Sequence, residues 1–117
     1  MNPEEVRNEL GAIRIHKNVI ASISSIAAME IEGVRKISAN FKSGLLELFG
    51  HKPFLAIKVD ISKNEEVKVD IPIVIKYGYN IPDTAARVQD NVRLALERMS
   101  NLSVKDVNVN VKGIERG

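Results

Sequence analysis

The sequence predicts an α+β fold: a two-layer sandwich with two helices on one face of a mixed or antiparallel sheet of about five strands, in the order β-α-β-β-β-α-β. Three observations carry this expectation. Two adjoining stretches, LAIKVDIS and VKVDIPIVIKY, alternate apolar and polar residues with the period of a strand. Two others repeat apolar residues at spacings of three and four, each laying down a single apolar stripe along a helix. Near the end, VKDVNVNVKGI alternates again, Val107, Val109 and Val111 against Asn108, Asn110 and Lys112.

Taken in order, residues 1–10 read as a polar leader whose order the sequence leaves open, and residues 11–117 as one domain. GAIRI alternates Ile13 and Ile15 with polar neighbours, the pattern of a short half-buried strand. From Asn18, a fair N-cap, the stripe Val19, Ile20, Ile23, Ile26, Ala27 and Ile31 predicts a helix that stops at Gly33. VRKISA (34–39) supplies a second strand.

The next two strands form a hairpin whose register the charges select. Pairing Ser62 with Glu66 sets Asp60 opposite Lys68 and Lys58 opposite Asp70, whereas pairing Ser62 with Lys68 sets Asp60 against Asp70. At roughly 0.2–1 kcal/mol per cross-strand pair, the first arrangement wins, with Lys63-Asn64-Glu65 as a tight loop in which Asn64 or Glu65 takes a turn conformation. Pro72 has no amide proton for a ladder, so the strand should lie at a sheet edge there or be bulged. Asn80 then caps a second helix with Pro82 in its first turn and Asp83 near its positive end. Its expected buried stripe is Ile81, Ala85, Val88, Val92, Ala95 and Met99, and Tyr77 is expected to extend the inward row of the preceding strand.

Composition narrows the function. With 117 residues the chain makes about one domain, and aromatics at 4 % with no tryptophan leave an aliphatic core. Seventeen Lys and Arg against fifteen Asp and Glu alternate in sign instead of forming a basic block, which disfavours nucleic acid as partner. The absence of cysteine excludes disulfides, zinc-thiolate sites and cysteine nucleophiles. MNPEEVRNEL lacks the basic start and apolar stretch of a signal peptide, and no apolar run approaches the roughly 20 residues needed to span a bilayer. The expected location is therefore cytoplasmic, with any approach to the membrane made through a partner.

No catalytic, cofactor-binding or metal-ligating set emerges. His16 and His51 are not at ligand spacing, Asp60 and Asp70 fall opposite lysines on a polar sheet face, and neither phosphate-cradling glycine motif occurs. The segment NFKSGLLELFGHKPFL stands out, because it or its border holds all three phenylalanines. It reads either as a flap over the open end of the core or as a contact surface. The candidate protein-contact residues are Phe41, Leu45, Leu48, Phe49 and Phe54, with Tyr79 beside a helix N-terminus. An alternative reading uses Lys58, Lys68, Lys76 and Lys112 on the exposed sheet face to hold nucleic acid or a ribosomal surface.

GAIRIHKNVIASISSIAAMEIEGV resembles the opening signature of the alkaline shock protein family of envelope stress response proteins, and VKVDIPIVIKYGYNIPDTAARVQDNVRLALERMSNLSVKDVNVNVKGI is similar to the family's second half. The resemblance runs from Gly11 to Ile114. It implies a small, non-enzymatic, cytosolic bacterial protein linked to cell-envelope homeostasis, in some members abundant, self-associating and held near the membrane by a partner. It brings no catalytic residues, and the apolar LLELFGHKPFL adds weight to a loop contact.

Overall fold

The computed structural model describes residues 3–38, 56–100 and 102–116, with side chains described from His16 onward. Helix α1 (Pro3–Met29) leads through a turn into β1 (Val34–Ile37). Strands β2 (Lys58–Ile61) and β3 (Glu66–Lys76) form a hairpin, helix α2 (Ile81–Met99) follows, and β4 (Ser103–Glu115) ends the fold. The α+β sandwich is present, and among the described residues its mixed sheet has four strands where about five are expected.

The missing strand is GAIRI, which lies inside α1. Its Ile-x-Ile alternation loses to a longer pattern, since Val6, Leu10, Ile13 and Ile20 are spaced by four, three and seven and share one helical face. The first ten residues, read as a polar leader of open order, are helical from Pro3 onward, and proline is favoured at such a start. Asn18 therefore lies mid-helix and caps nothing. Gly33 ends the helical segment as expected, at φ +103.

β3 is the spine of the sheet. β4 runs parallel to it along its whole length, from Glu66↔Ser103 to Lys76↔Glu115. That ladder uses one edge of β3, so the antiparallel partners share the other, β2 against Val67–Asp70 and β1 against Ile73–Ile75. Pro72 sits at the junction between them. It is not at the sheet margin, since Asn110 of β4 lies beside it. Its carbonyl accepts from the Ser38 amide at 2.8 Å, so its proton-less nitrogen faces the break between β1 and β2, where no ladder bond is lost.

The hairpin has the register chosen by charge: Lys58 faces Asp70 and Asp60 faces Lys68. Ser62 donates its amide to the Glu66 carbonyl at 2.9 Å, and Glu65 closes the loop at φ +60. This is a three-residue turn ending in a left-handed residue.

Both helices cover one sheet face. Val67, Val69, Ile71, Ile73 and Ile75 of β3 are buried against Ile20, Ala27 and Ala28 of α1 and Val88, Val92 and Leu96 of α2. Each large aliphatic side chain so buried stabilises by about 1.5–3 kcal/mol. The buried face of α2 is Thr84, Val88, Val92 and Leu96, rotated from the expected stripe. Thr84 can be buried because its hydroxyl donates to the Asn80 carbonyl at 2.7 Å. Met99, expected inside, is 70 % exposed at the helix end.

In α1 the small residues Ala21, Ser24, Ala27 and Ala28 are turned inward, while Val19 and Ile26, also expected inside, are 48 % and 64 % exposed. Ser24 satisfies its hydroxyl on the Ile20 carbonyl at 2.7 Å. The side chain of Asn91 joins the helices, donating to the Ala27 carbonyl at 2.7 Å and the Glu30 carboxylate at 3.1 Å.

Candidate interaction surface

The strand-to-helix corner KYGYNIPD is a structural joint. Asn80 accepts from the Asp83 amide at 3.0 Å and caps α2, with Pro82 in its first turn, as the sequence predicts. Tyr77 does not continue the inward row: β3 ends at Lys76, the chain turns at Gly78 with φ +96, and Tyr77 lies exposed with the Arg116 guanidinium 4.8 Å above its ring. Tyr79, a candidate contact residue, packs over Gly33. A Cβ on Gly33 would fall 2.7 Å from its Cδ1, so the ring rests directly on the glycine backbone. Loss of solvent and the neighbouring Glu32 carboxylate push its hydroxyl pKa up. An edge of the ring stays accessible, the residue being 38 % exposed.

The remaining candidate contact residues, Phe41, Leu45, Leu48, Phe49 and Phe54, lie outside the described residues, as does His51. His16 borders an open, mainly apolar cleft of about 370 Å³ between α1 and the end of α2, shared with Val19, Ile20, Met99 and Leu102. On the exposed sheet face the lysines of the alternative reading are interleaved with acids. Lys58 and Lys68 face Asp70 and Asp60, and Lys36 pairs with Glu115 at 3.1 Å. A continuous basic track is not formed there.

Two surfaces remain. The first is apolar and lies on the helix layer. Val19 and Ile26 are seven residues apart on one side of α1, and Met99 meets Val19 at the cleft. Leu94, 44 % exposed, lies one turn beyond Asn91 on the α1 side of α2.

The second is the outer edge of β4, which among the described residues pairs with β3 alone. Its exposed backbone groups can be identified. The Ser103 amide and Glu115 carbonyl bond toward the β3 side. The register skips one residue at Lys105 and one at Lys112. Alternation through those two bulges turns the amides and carbonyls of Val104, Val107, Val109, Val111 and Ile114 outward.

Two side chains of α2 confirm this direction. Gln89 donates to the Val107 carbonyl at 2.8 Å and Arg93 to the Val104 carbonyl at 3.0 Å. Neither residue belongs to the buried stripe that the sequence predicts for this helix. Their signal was their four-residue spacing, immediately beside Val88 and Val92, which puts them on one flank of the buried stripe.

These features define a two-layer α+β domain built on a parallel β-α-β unit with an antiparallel hairpin and, among the described residues, with one long sheet edge open. The chain belongs to the alkaline shock protein 23 family, described as having a cell envelope-related function, whose pattern matches residues 5–116. It is 36 % identical over 107 residues to the uncharacterized protein YqhY of Bacillus subtilis, covering 91 % of this chain and 78 % of that one. A stress response regulator gls24 homolog of Streptococcus pyogenes is 25 % identical, with 90 % of this chain matched to 59 % of the relative. Among solved structures, a MamM CTD variant superposes with a TM-score of 0.53 at 14 % identity, over 86 % of this chain and 99 % of that domain, a likeness of fold alone.

Proposed function

We propose that this protein is a non-enzymatic, self-associating scaffold or adaptor that works in the cytoplasm on the cell envelope's behalf and reaches the membrane through a partner protein. The observation that carries the reading is the apolar strip on the helix layer, where Val19, Ile26, Leu94 and Met99 are each at least 44 % exposed. Large apolar side chains exposed on one layer, with Val19 and Met99 meeting at a cleft, are the surface chemistry of contact with another macromolecule. The segment from Phe41 to Phe54 adds a second apolar source of contacts. The family's envelope-related function and the stress-regulator name of a relative support the setting. No described helix is long and apolar enough to cross a membrane, which fits attachment through a partner.

Light scattering tests the self-association. The protein is expected to be dimeric or larger at high micromolar concentration, and Ile26→Asp or Phe49→Asp is expected to reduce its mass. A strict monomer that neither substitution alters contradicts the reading.

A further inference from the structure

We propose that the outer edge of β4 is a self-recognition site: a second copy of this chain pairs with it, β4 against β4 and antiparallel, about a twofold axis through Val109. The inference rests on the self-associating role above and names one surface that performs it.

Among the described residues the edge is open at the centre of this register. The amides and carbonyls of Val109 and Val111 face outward, and the Gln89 and Arg93 side chains engage only the carbonyls nearer the start of the strand, those of Val107, Val104 and, at 3.5 Å, Lys105. An unpaired strand edge is a template for another strand. Val109 and Val111 are also only half-buried, because the core-facing row of the sheet stops at β4.

The sequence selects the partner, since β4 reads as its own complement. Centred on Val109, the antiparallel register sets Val107 opposite Val111, Asn108 opposite Asn110, Asp106 opposite Lys112 and Val104 opposite Ile114, each pair occurring twice by symmetry. Twofold interfaces require such self-complementarity. Moving the axis one residue to Asn108 sets Asp106 against Asn110, and moving it to Asn110 sets Asp106 against Ile114. The Asn108 axis brings no opposite-charge pair, and the Asn110 axis exchanges Asp106–Lys112 for Lys105 opposite Glu115. Both also set an outward-facing backbone residue against an inward-facing one, Val104 on Lys112 or Val107 on Gly113.

Backbone parity agrees with this centre. Val109 faces itself with its amide and carbonyl directed across the axis, and the Val107 and Val111 pairs bring the total to about six backbone hydrogen bonds. The Val107 carbonyl has a second lone pair, so it can accept the strand bond while keeping Gln89. Pairing makes one continuous sheet through both copies, with both helix layers on the same face. The apolar strip of Val19, Ile26 and Leu94 stays open for further contacts, so the two surfaces together allow assemblies beyond a dimer.

The chain has no cysteine, which permits a register-specific test. Asn108 and Asn110 would form a non-hydrogen-bonded pair with Cα atoms about 4.5 Å apart, within disulfide reach. Chains carrying Asn108→Cys are mixed with chains carrying Asn110→Cys, oxidised mildly and run on a non-reducing gel. The mixture is expected to yield a covalent dimer well above either variant alone, whose thiols sit two residues out of register. In a second arm, Asp106→Lys is expected to weaken association about tenfold, and D106K/K112D to restore it. Circular dichroism checks the fold of each variant.

If light scattering shows an oligomer but the mixture crosslinks no better than the single variants, the β4 pairing is wrong and self-association stands. A strict monomer overturns both. Should Asp106→Lys fail to fold, the cysteine mixture still decides.

Discussion

Gly33 and Glu65 both hold a left-handed backbone, and they respond to substitution in opposite ways. Gly33 combines φ +103 with a Tyr79 ring that leaves no room for a Cβ. Gly33→Ala is therefore expected to cost about 2–4 kcal/mol, seen as a lower thermal midpoint. Glu65, at φ +60, carries the strain in the wild-type chain. Glu65→Gly is expected to gain about 0.5–1 kcal/mol in the same measurement. A helix stop and a three-residue hairpin each require a turn residue, so the sequence points to Gly33 and to one of Asn64 and Glu65, and the structure selects Glu65. It misplaced Tyr77, because apolar alternation in VIKY has no mark of where a strand ends. The Gly78 turn comes one residue sooner than the alternation suggests, leaving Tyr77 to Arg116 and its own amide to the Glu115 carbonyl at 2.8 Å.

At the scale of elements, the hairpin, the second helix and the last strand were legible because local rules agree there. Charge pairing fixed the β2–β3 register, and Asn80, Pro82 and Asp83 marked the start of α2. The first helix was read too short. GAIRI satisfies the two-residue period over five positions and the helical period over a longer span, and the longer pattern prevails because α1 continues one apolar face through Val6, Leu10, Ile13 and Ile20. Gly11 then lies in a helix interior, where glycine is unfavourable. Gly11→Ala is expected to raise the thermal midpoint, equivalent to about 0.5–1 kcal/mol, and to leave the helical circular-dichroism signal intact or stronger. A loss of helicity would favour the strand. Val19 and Ile26 were assigned inward because they share helical spacing with Ile20 and Ala27. Small residues bring α1 close to the body on one side only, and that leaves the two larger ones outside.

For the molecule as a whole, the family and the layered fold could be read from the sequence, while the interaction surface could be read only in part. An open edge depends on strand order, which periodicity does not encode: β4 is outermost because β1 and β2 share the opposite side of β3 end to end. The self-complementary pattern from Val104 to Ile114 was visible in the residues and gained meaning only once that edge was known to be unpaired. The same order makes β3, buried on both edges, the element least able to take part in contacts. Sedimentation velocity of the unmodified protein over a concentration series tests its self-association. The sedimentation coefficient is expected to rise with concentration from the dimer upward; a single monomeric boundary at every concentration into the high micromolar range would rule self-association out.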